Sequence, residues 1–371
     1  SSEDLASWFA QLEVLVLSLS PEDLDDTSWD RFVGFMHLLE SAIRLLGLRL
    51  SRYVPLLLKM VLLILSHVQG WREAFLEAHS SSSKGEQGKV EEPGCHADAQ
   101  LESLEMEVDG NEPLESSGTG DGVVARLAAQ STRLRSMALL RLAEMVRQYG
   151  SVQSSQAGAP ALLSSVQLLR EMWVPLGPLV QALPYSISGS SKPPALLQLL
   201  GSLLASDSEQ TSGIIAERPA AVRALVGCIA VRSQAPVTAA VVTALSHLLE
   251  LPGAVLASHA DLLVQTFARR FTGAKSGSES EACVHGLKLS ELDIVPSGSI
   301  AQELALLTRL ARDVLADADV PLLQSTVANF ATILLGLLRT YTSHRKIRTN
   351  PAWVVDILQV YRLLLWRIDS V

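Results

Sequence analysis

Proline stands ahead of one apolar run after another in this chain, and that placement restricts the chain to helices. Pro55, Pro160, Pro194, Pro219, Pro236, Pro321 and Pro351 each lead into a stretch rich in Leu, Val or Ala. Proline has no backbone N–H and a fixed φ, so it is tolerated in the first turn of an α-helix and disrupts helix interiors and central strands. Helix starts are therefore predicted at these positions, and from Pro160 to Pro236 they recur at intervals of 17 to 34 residues. Pro-Ala-Leu-Leu occurs twice, at Pro160 and at Pro194, as a weak internal repeat. Asn350 before Pro351 suits an N-cap, and Ser299 with Gln302 has the spacing of a capping box.

The runs themselves carry helical periodicity. At 100° per residue, Leu134, Ala138, Leu142, Met145, Val146 and Tyr149 fall on one broad arc. Arg133, Glu144 and Arg147 fall opposite, with Arg141 and Gln148 near the edge. Over Pro351 to Asp369 the same projection places Val354, Leu358, Tyr361, Leu365 and Ile368 in a stripe, away from Asp356, Gln359 and Arg362.

Size then decides how such helices are arranged. The chain has 371 residues, more than the roughly 250 to 300 at which a single core stops growing. Hydrophobic residues make up 48% and aromatic ones only 5%, which suits packed helices better than sheets. A stack of antiparallel helix pairs grows lengthwise, because each repeat buries its face on its neighbours. The predicted fold is all-α, a HEAT/armadillo-like α-solenoid of roughly seven pairs at ~40 to 47 residues each. Helical repeats are expected over residues 1–78, 123–272 and 299–371. The chain opens on Ser1 and not Met, as a segment of a longer protein would.

Two breaks interrupt the pattern. Between His79 and Gly122 eleven acids stand against two bases, Lys84 and Lys89, so this segment alone sums to the net charge of −9 of the whole chain. Rich in Ser, Gly and Glu, it buries too little apolar surface to offset the entropy of ordering. An acidic disordered insertion is predicted over 79–122, and a flexible loop over 273–298. Outside the insertion the chain is formally neutral, which leaves room for local basic patches.

The search for chemistry returns negatives. No Gly-x-x-x-x-Gly-Lys loop occurs, and Gly118, Gly120 and Gly122 lie in the acidic insertion without a preceding strand. Cys95, Cys228 and Cys283 are odd in number and far apart, which argues against a disulfide framework. Cys95 beside His96, and Cys283 near His285, lack a second pair of metal ligands. The Gly-x-Ser-x-Gly elbow of serine hydrolases is absent. His37, His67 and His247 fall within predicted helices as core-edge residues. Asp25 and Asp26 suit a solvated turn that caps a helix. No enzyme, cofactor, metal or small-molecule substrate is expected. No signal peptide is recognisable, and the charge-free stretch Val320 to Leu338 carries Gln324, Ser325, Thr326, Asn329 and Thr332, which reads as a buried helix and not a membrane span.

One charge cluster stands out: His344, Arg345, Lys346 and Arg348, in the turn before Pro351. Cations there complement the preceding helix C-terminus. Arg345, Lys346 and Arg348 on a short turn also suit the phosphates of a nucleic-acid backbone, and the scarcity of aromatics gives no sign of base stacking. Arg126, Arg133, Arg141 and Arg147 form a second basic strip, expected to be a solvated face.

The run Leu45 to Met60 (Leu-Leu-Gly-Leu-Arg-Leu-Ser-Arg-Tyr-Val-Pro-Leu-Leu-Leu-Lys-Met) and, after the insertion, Ser131 to Leu142 resemble an internal stretch of one family. It is the very large HEAT-repeat component of the small-subunit processome, the down-regulated-in-metastasis family. Pro193 to Leu200 and Val237 to Leu251 resemble later helices of that stretch in the same order, so the resemblance spans about Leu38 to Phe271. The acidic insertion departs from the family, whose corresponding connection is shorter. The resemblance implies a nucleolar, non-catalytic scaffold in ribosome biogenesis and rRNA processing, binding pre-ribosomal RNA and assembly-factor proteins within a large ribonucleoprotein and no membrane. The alternative is a HEAT-type adaptor that binds proteins only, for transport or complex assembly.

Overall fold

The computed structural model describes residues 26–51, 53–83, 120–150, 166–205, 209–231, 233–250, 257–272, 300–312, 324–343 and 351–369, with a few isolated positions besides. Among the described residues every regular element is helical, so the chain is all-α. The helices are α1 (Asp26–Leu46), α2 (Val54–Ser83), α3 (Gly120–Tyr149), α4 (Val166–Ser186), α5 (Ala195–Leu204), α6 (Glu209–Ala216), α7 (Pro219–Gly227), α8 (Ala235–Glu250), α9 (Ala260–Thr272), α10 (Ile300–Leu310), α11 (Gln324–Ser343) and α12 (Pro351–Asp369). Short 3-10 turns lie at Gly47–Leu50 and Ala257–His259.

The proline rule holds at most of the starts. Pro219 and Pro351 are the first residues of α7 and α12, Pro55 and Pro236 the second of α2 and α8, and Pro194 is the N-cap of α5. Pro160, Pro321, Asn350 and Ser299 lie outside the described residues. α4 breaks the rule, with Pro175, Pro178 and Pro184 in its interior. These remove the backbone donors that would reach the carbonyls of Glu171, Val174 and Val180. The helix persists because it buries Leu169, Met172, Trp173, Leu176, Val180 and Leu183, a tertiary gain that outweighs ~3 kcal/mol per interior proline.

The chain forms two compact units. One comprises Ser1–Ser186 with Pro194–Ile214, the other Ile187–Pro193 with Ile215–Val371. Their division falls within the helical stretch expected over 123–272, and the acidic insertion does not separate them. The insertion instead joins two helices, α2 and α3, that pack on each other. Helix also continues past its expected borders, since α2 runs to Ser83 and α3 begins at Gly120. Elongating an existing helix costs far less than nucleating one. The rest of the insertion, the loop 273–298 apart from Lys288, and the cluster at 344–348 lie outside the described residues.

In the first unit α3 is the centre, packed on α1, α2 and α5, while α4 packs on α2 and α5. The six residues of the expected α3 arc, Leu134, Ala138, Leu142, Met145, Val146 and Tyr149, are all buried. Burial extends beyond that arc to Leu139, Ala143 and Ser131, because neighbours contact the helix on several sides. Polar bonds fix the register: Arg72 donates to Ser131 Oγ at 3.1 Å and Thr132 Oγ1 at 2.5 Å, and Gln69 donates to the Pro175 carbonyl at 2.8 Å. Within α2, Val54–Ala74 is long and apolar enough by composition to cross a membrane, and half of that window is buried inside the fold.

In the second unit α9 packs on α7 and α11, α10 packs on α8 and α12, and α7 also meets α8 and α11 meets α12. Most contacts thus join a helix to the one two places along. Thr326, one of the polar residues of α11, donates from its hydroxyl to the Asp261 carboxylate of α9. Arg270 of α9 donates to the Ile229 carbonyl at 2.9 Å and to Glu303 Oε1 of α10 at 2.8 Å.

The stripe expected on α12 is corrected. Ile357, Val360 and Leu364 are buried, whereas Leu358 and Leu365 are 49% and 39% exposed. The true face is rotated by about one residue, or 100°. α12 carries apolar residues on nearly every side, so periodicity alone leaves its phase open, and packing against α10 and α11 selects the face.

Candidate binding cleft

The ends of α1 and α3 meet at a glycine. Gly47 has φ of +50°, a left-handed conformation that glycine adopts without the Cβ penalty, and it ends α1 and starts the 3-10 turn. A Cβ there would stand 3.6 Å from Gln148 Nε2, an ordinary contact, so the backbone angle and not crowding is the constraint. Tyr149, the last residue of α3, donates its hydroxyl to the Gly47 carbonyl at 2.8 Å. The two helices run side by side in the same direction, Glu40 beside Arg141 and Gly47 beside Tyr149.

Between them lies an open cleft of about 320 Å³ lined by Glu40, Ile43, Arg44, Glu144, Arg147 and Gln148. Arg141, only 8% exposed in its side chain, places Nη1 2.9 Å from Glu144 Oε2 and 3.1 Å from Glu40 Oε2. Arg44 Nη2 lies 2.9 Å from the other oxygen of Glu40. Charges alternate along Arg44, Glu40, Arg141 and Glu144, so both carboxylates are neutralised from within the fold. Arg147 is exposed and has no ion-pair partner among the described residues. The expected solvated strip is corrected at Arg141, which is buried beneath the cleft while Arg126, Arg133 and Arg147 are exposed.

Sequence reasoning missed this cluster. The available signal was Arg141 at the edge of a buried arc with Glu144 one turn on; its partner Glu40, across the insertion, had no local signature.

Arg345, Lys346 and Arg348, the residues expected to meet RNA, lie outside the described residues, as do Cys95, His96, Cys283 and His285. Among the described residues no group of three or more His, Cys, Asp or Glu converges as a metal site. His37, His67 and His247 are helical as expected. His37 is exposed with Nδ1 4.0 Å from Glu40, His247 Nδ1 lies 3.1 Å from Glu250, and burial holds the His67 pKa below its ordinary value. The cleft offers charged and apolar contacts for binding.

Cys228 is buried, and desolvation pushes its thiol up to about 12, against a partial offset from a backbone hydrogen bond. From an ordinary value near 9.0 this removes roughly a thousandfold of the thiolate at pH 8, and the thiolate is the reactive form. Alkylation with iodoacetamide followed by peptide mapping should leave Cys228 unlabelled in the folded protein and label it in urea. Rapid labelling without denaturant would show that this part of the second unit opens readily.

Comparison of the chain with protein-family models, with curated proteins and with solved structures finds no match.

Proposed function

We propose that the chain is a non-catalytic helical-repeat scaffold of HEAT type. The observation that carries this reading is the packing order, in which α1, α3 and α5, or α7, α9 and α11, contact one another in succession, and α8, α10 and α12 do likewise. Two layers built by contacts between a helix and the next but one are what stacked antiparallel pairs require. Within this class we propose a ribosome small-subunit assembly factor that acts in the nucleolus on pre-ribosomal RNA together with assembly proteins, on the strength of the resemblance of Leu45 to Met60 and Ser131 to Leu142. The second reading is a protein-only adaptor, favoured by the neutral balance of charge outside the acidic insertion.

Purification of the intact parent protein, with identification of bound RNA and proteins, separates the two. Under the first reading pre-ribosomal RNA and small-subunit assembly factors co-purify. Replacing Arg345, Lys346 and Arg348 together by Ala should then weaken RNA retention and flatten its log-log salt dependence by about 0.7 to 0.9 per lost phosphate contact. Superimposable salt curves for wild type and triple variant would remove this cluster from the RNA surface. Absence of RNA from the purified parent would favour the adaptor.

A further inference from the structure

We propose that the outward face of α12 docks one amphipathic helix of a partner protein, a helix that carries leucine-like side chains and a carboxylate facing Arg362. Val355, Leu358 and Leu365 are 50%, 49% and 39% exposed, and Arg362 among them is exposed too. Steps of three, four and three residues separate the four positions. At 100° per residue they share an arc of about 80°, and they rise about 15 Å along the helix. The half-buried Val354 and Tyr361 border this arc. The face that α12 buries within its own unit, Ile357, Val360 and Leu364, lies roughly 150° away round the helix. α12 therefore has two apolar faces, and packing on α10 and α11 accounts for one of them.

Spacing and charge select the occupant of the other. Positions alternately three and four apart form the seam by which one helix receives another. The row in which α8 meets α10 and α10 meets α12 is already built from helix-on-helix contacts, and a further helix laid on α12 extends an interface of the same kind. Arg362 has no ion-pair partner among the described residues, and a cation enclosed in such a seam calls for a carboxylate opposite it. A second copy of the chain does not supply one. Antiparallel pairing about the middle of the stripe sets Arg362 against Leu358, and parallel pairing sets it against its own equivalent. The inner face is apolar at Ile357, Val360 and Leu364, whereas the outer one mixes arginine with aliphatic side chains, as interfaces between separately folded chains do. A nucleic-acid backbone would use Arg362 and leave the aliphatic side chains bare. Helices that lie on lipid carry several cations around the apolar face, and Arg362 is the one cation among the described exposed residues of α12.

The inference relies on the scaffold reading only for the existence of a protein partner. Its test is separate from RNA retention by the parent protein, so either can fail alone. The probe is a fluorescein-labelled peptide of about 20 residues, long enough to form a helix, with leucine at the first and fourth place of each heptad, glutamate beside them and alanine elsewhere. At a concentration where it is monomeric, it is titrated with the full chain and followed by fluorescence anisotropy. A variant carrying Leu358→Ser and Leu365→Ser should bind at least about tenfold more weakly, and because both residues face outward it should keep its helix content. Val174→Ser, 73% exposed on α4, controls for lost apolar surface and should bind like wild type. Arg362→Glu should weaken binding of the glutamate peptide and strengthen binding of a peptide with lysine in its place. A peptide with serine for leucine should bind the unmodified chain at least about tenfold more weakly, which keeps the test decisive if a variant melts early. Absence of saturable binding overturns the proposal, as do unchanged affinity in the folded double variant and equal binding of the serine peptide. Sedimentation that shows a dimer of the chain, made monomeric by the same double substitution, gives the face to a second copy instead. Binding to phosphatidylserine vesicles or single-stranded RNA that competes with the probe and is lost in that variant likewise overturns the helix as occupant.

Discussion

Leu142→Ala lowers the stability of the first unit by about 2 to 5 kcal/mol. Leu142 is fully buried in the helix that packs on α1, α2 and α5. Truncation loses the transfer free energy of the removed methyl groups and leaves a cavity that several anchored helices cannot collapse to fill. Arg147→Ala, exposed on the same helix, should shift stability by only about half a kcal/mol. Leu358→Ala belongs with the second class, because α12 turns that residue outward. Urea midpoints for the three variants measure this. Equal shifts for Leu142 and Arg147 would mean that the face assigned to α3 is wrong.

A second large loss, about 3 to 5 kcal/mol, follows from Arg270→Ala. Glu303 is only 3% exposed in its side chain, and removing Arg270 leaves its carboxylate buried without that counter-charge. The Ile229 carbonyl loses a donor at the same time. Removing both partners, Arg270→Ala with Glu303→Ala, should cost less than Arg270→Ala alone, since the buried carboxylate that loses Arg270 goes too. Distance does not decide this. Arg309 and Glu250 also stand 2.8 Å apart, but with side chains 34% and 48% exposed, and Arg309→Ala should cost no more than about 1 kcal/mol. Arg309, then His247, bonds the Glu250 carboxylate and holds its pKa below the ordinary 4.5. That small contribution is present above pH ~4.5 and is lost as pH falls through the lowered value. A double variant no more stable than Arg270→Ala would show that burial of the pair is not what sets its cost.

The difference between α3 and α12 shows where sequence stops being sufficient. On α3, Arg133, Glu144 and Arg147 mark the wet side so clearly that the opposite arc follows. α12 has few polar residues to mark its wet side, and only its neighbours choose between two faces one residue apart. Helix starts at Pro219 and Pro351 were legible because the missing N–H restricts proline locally. Pro175, Pro178 and Pro184 are tolerated by tertiary burial, which no local rule contains. The cleft was least legible. Glu40 and Arg141 lie on either side of the insertion, and a pairing over that separation depends on how α1 and α3 align.

That alignment has a consequence for the insertion. Arg72 faces Ser131 and Thr132, and equal steps along the two antiparallel helices bring Ser83 opposite Gly120. The connection therefore spans a short gap however many residues it contains. Closing a loop costs only about (3/2)RT ln n, so doubling its length costs roughly 0.6 kcal/mol. A segment whose net charge equals that of the whole chain can thus grow, shrink or exchange its composition over evolutionary time almost independently of the helices that carry it.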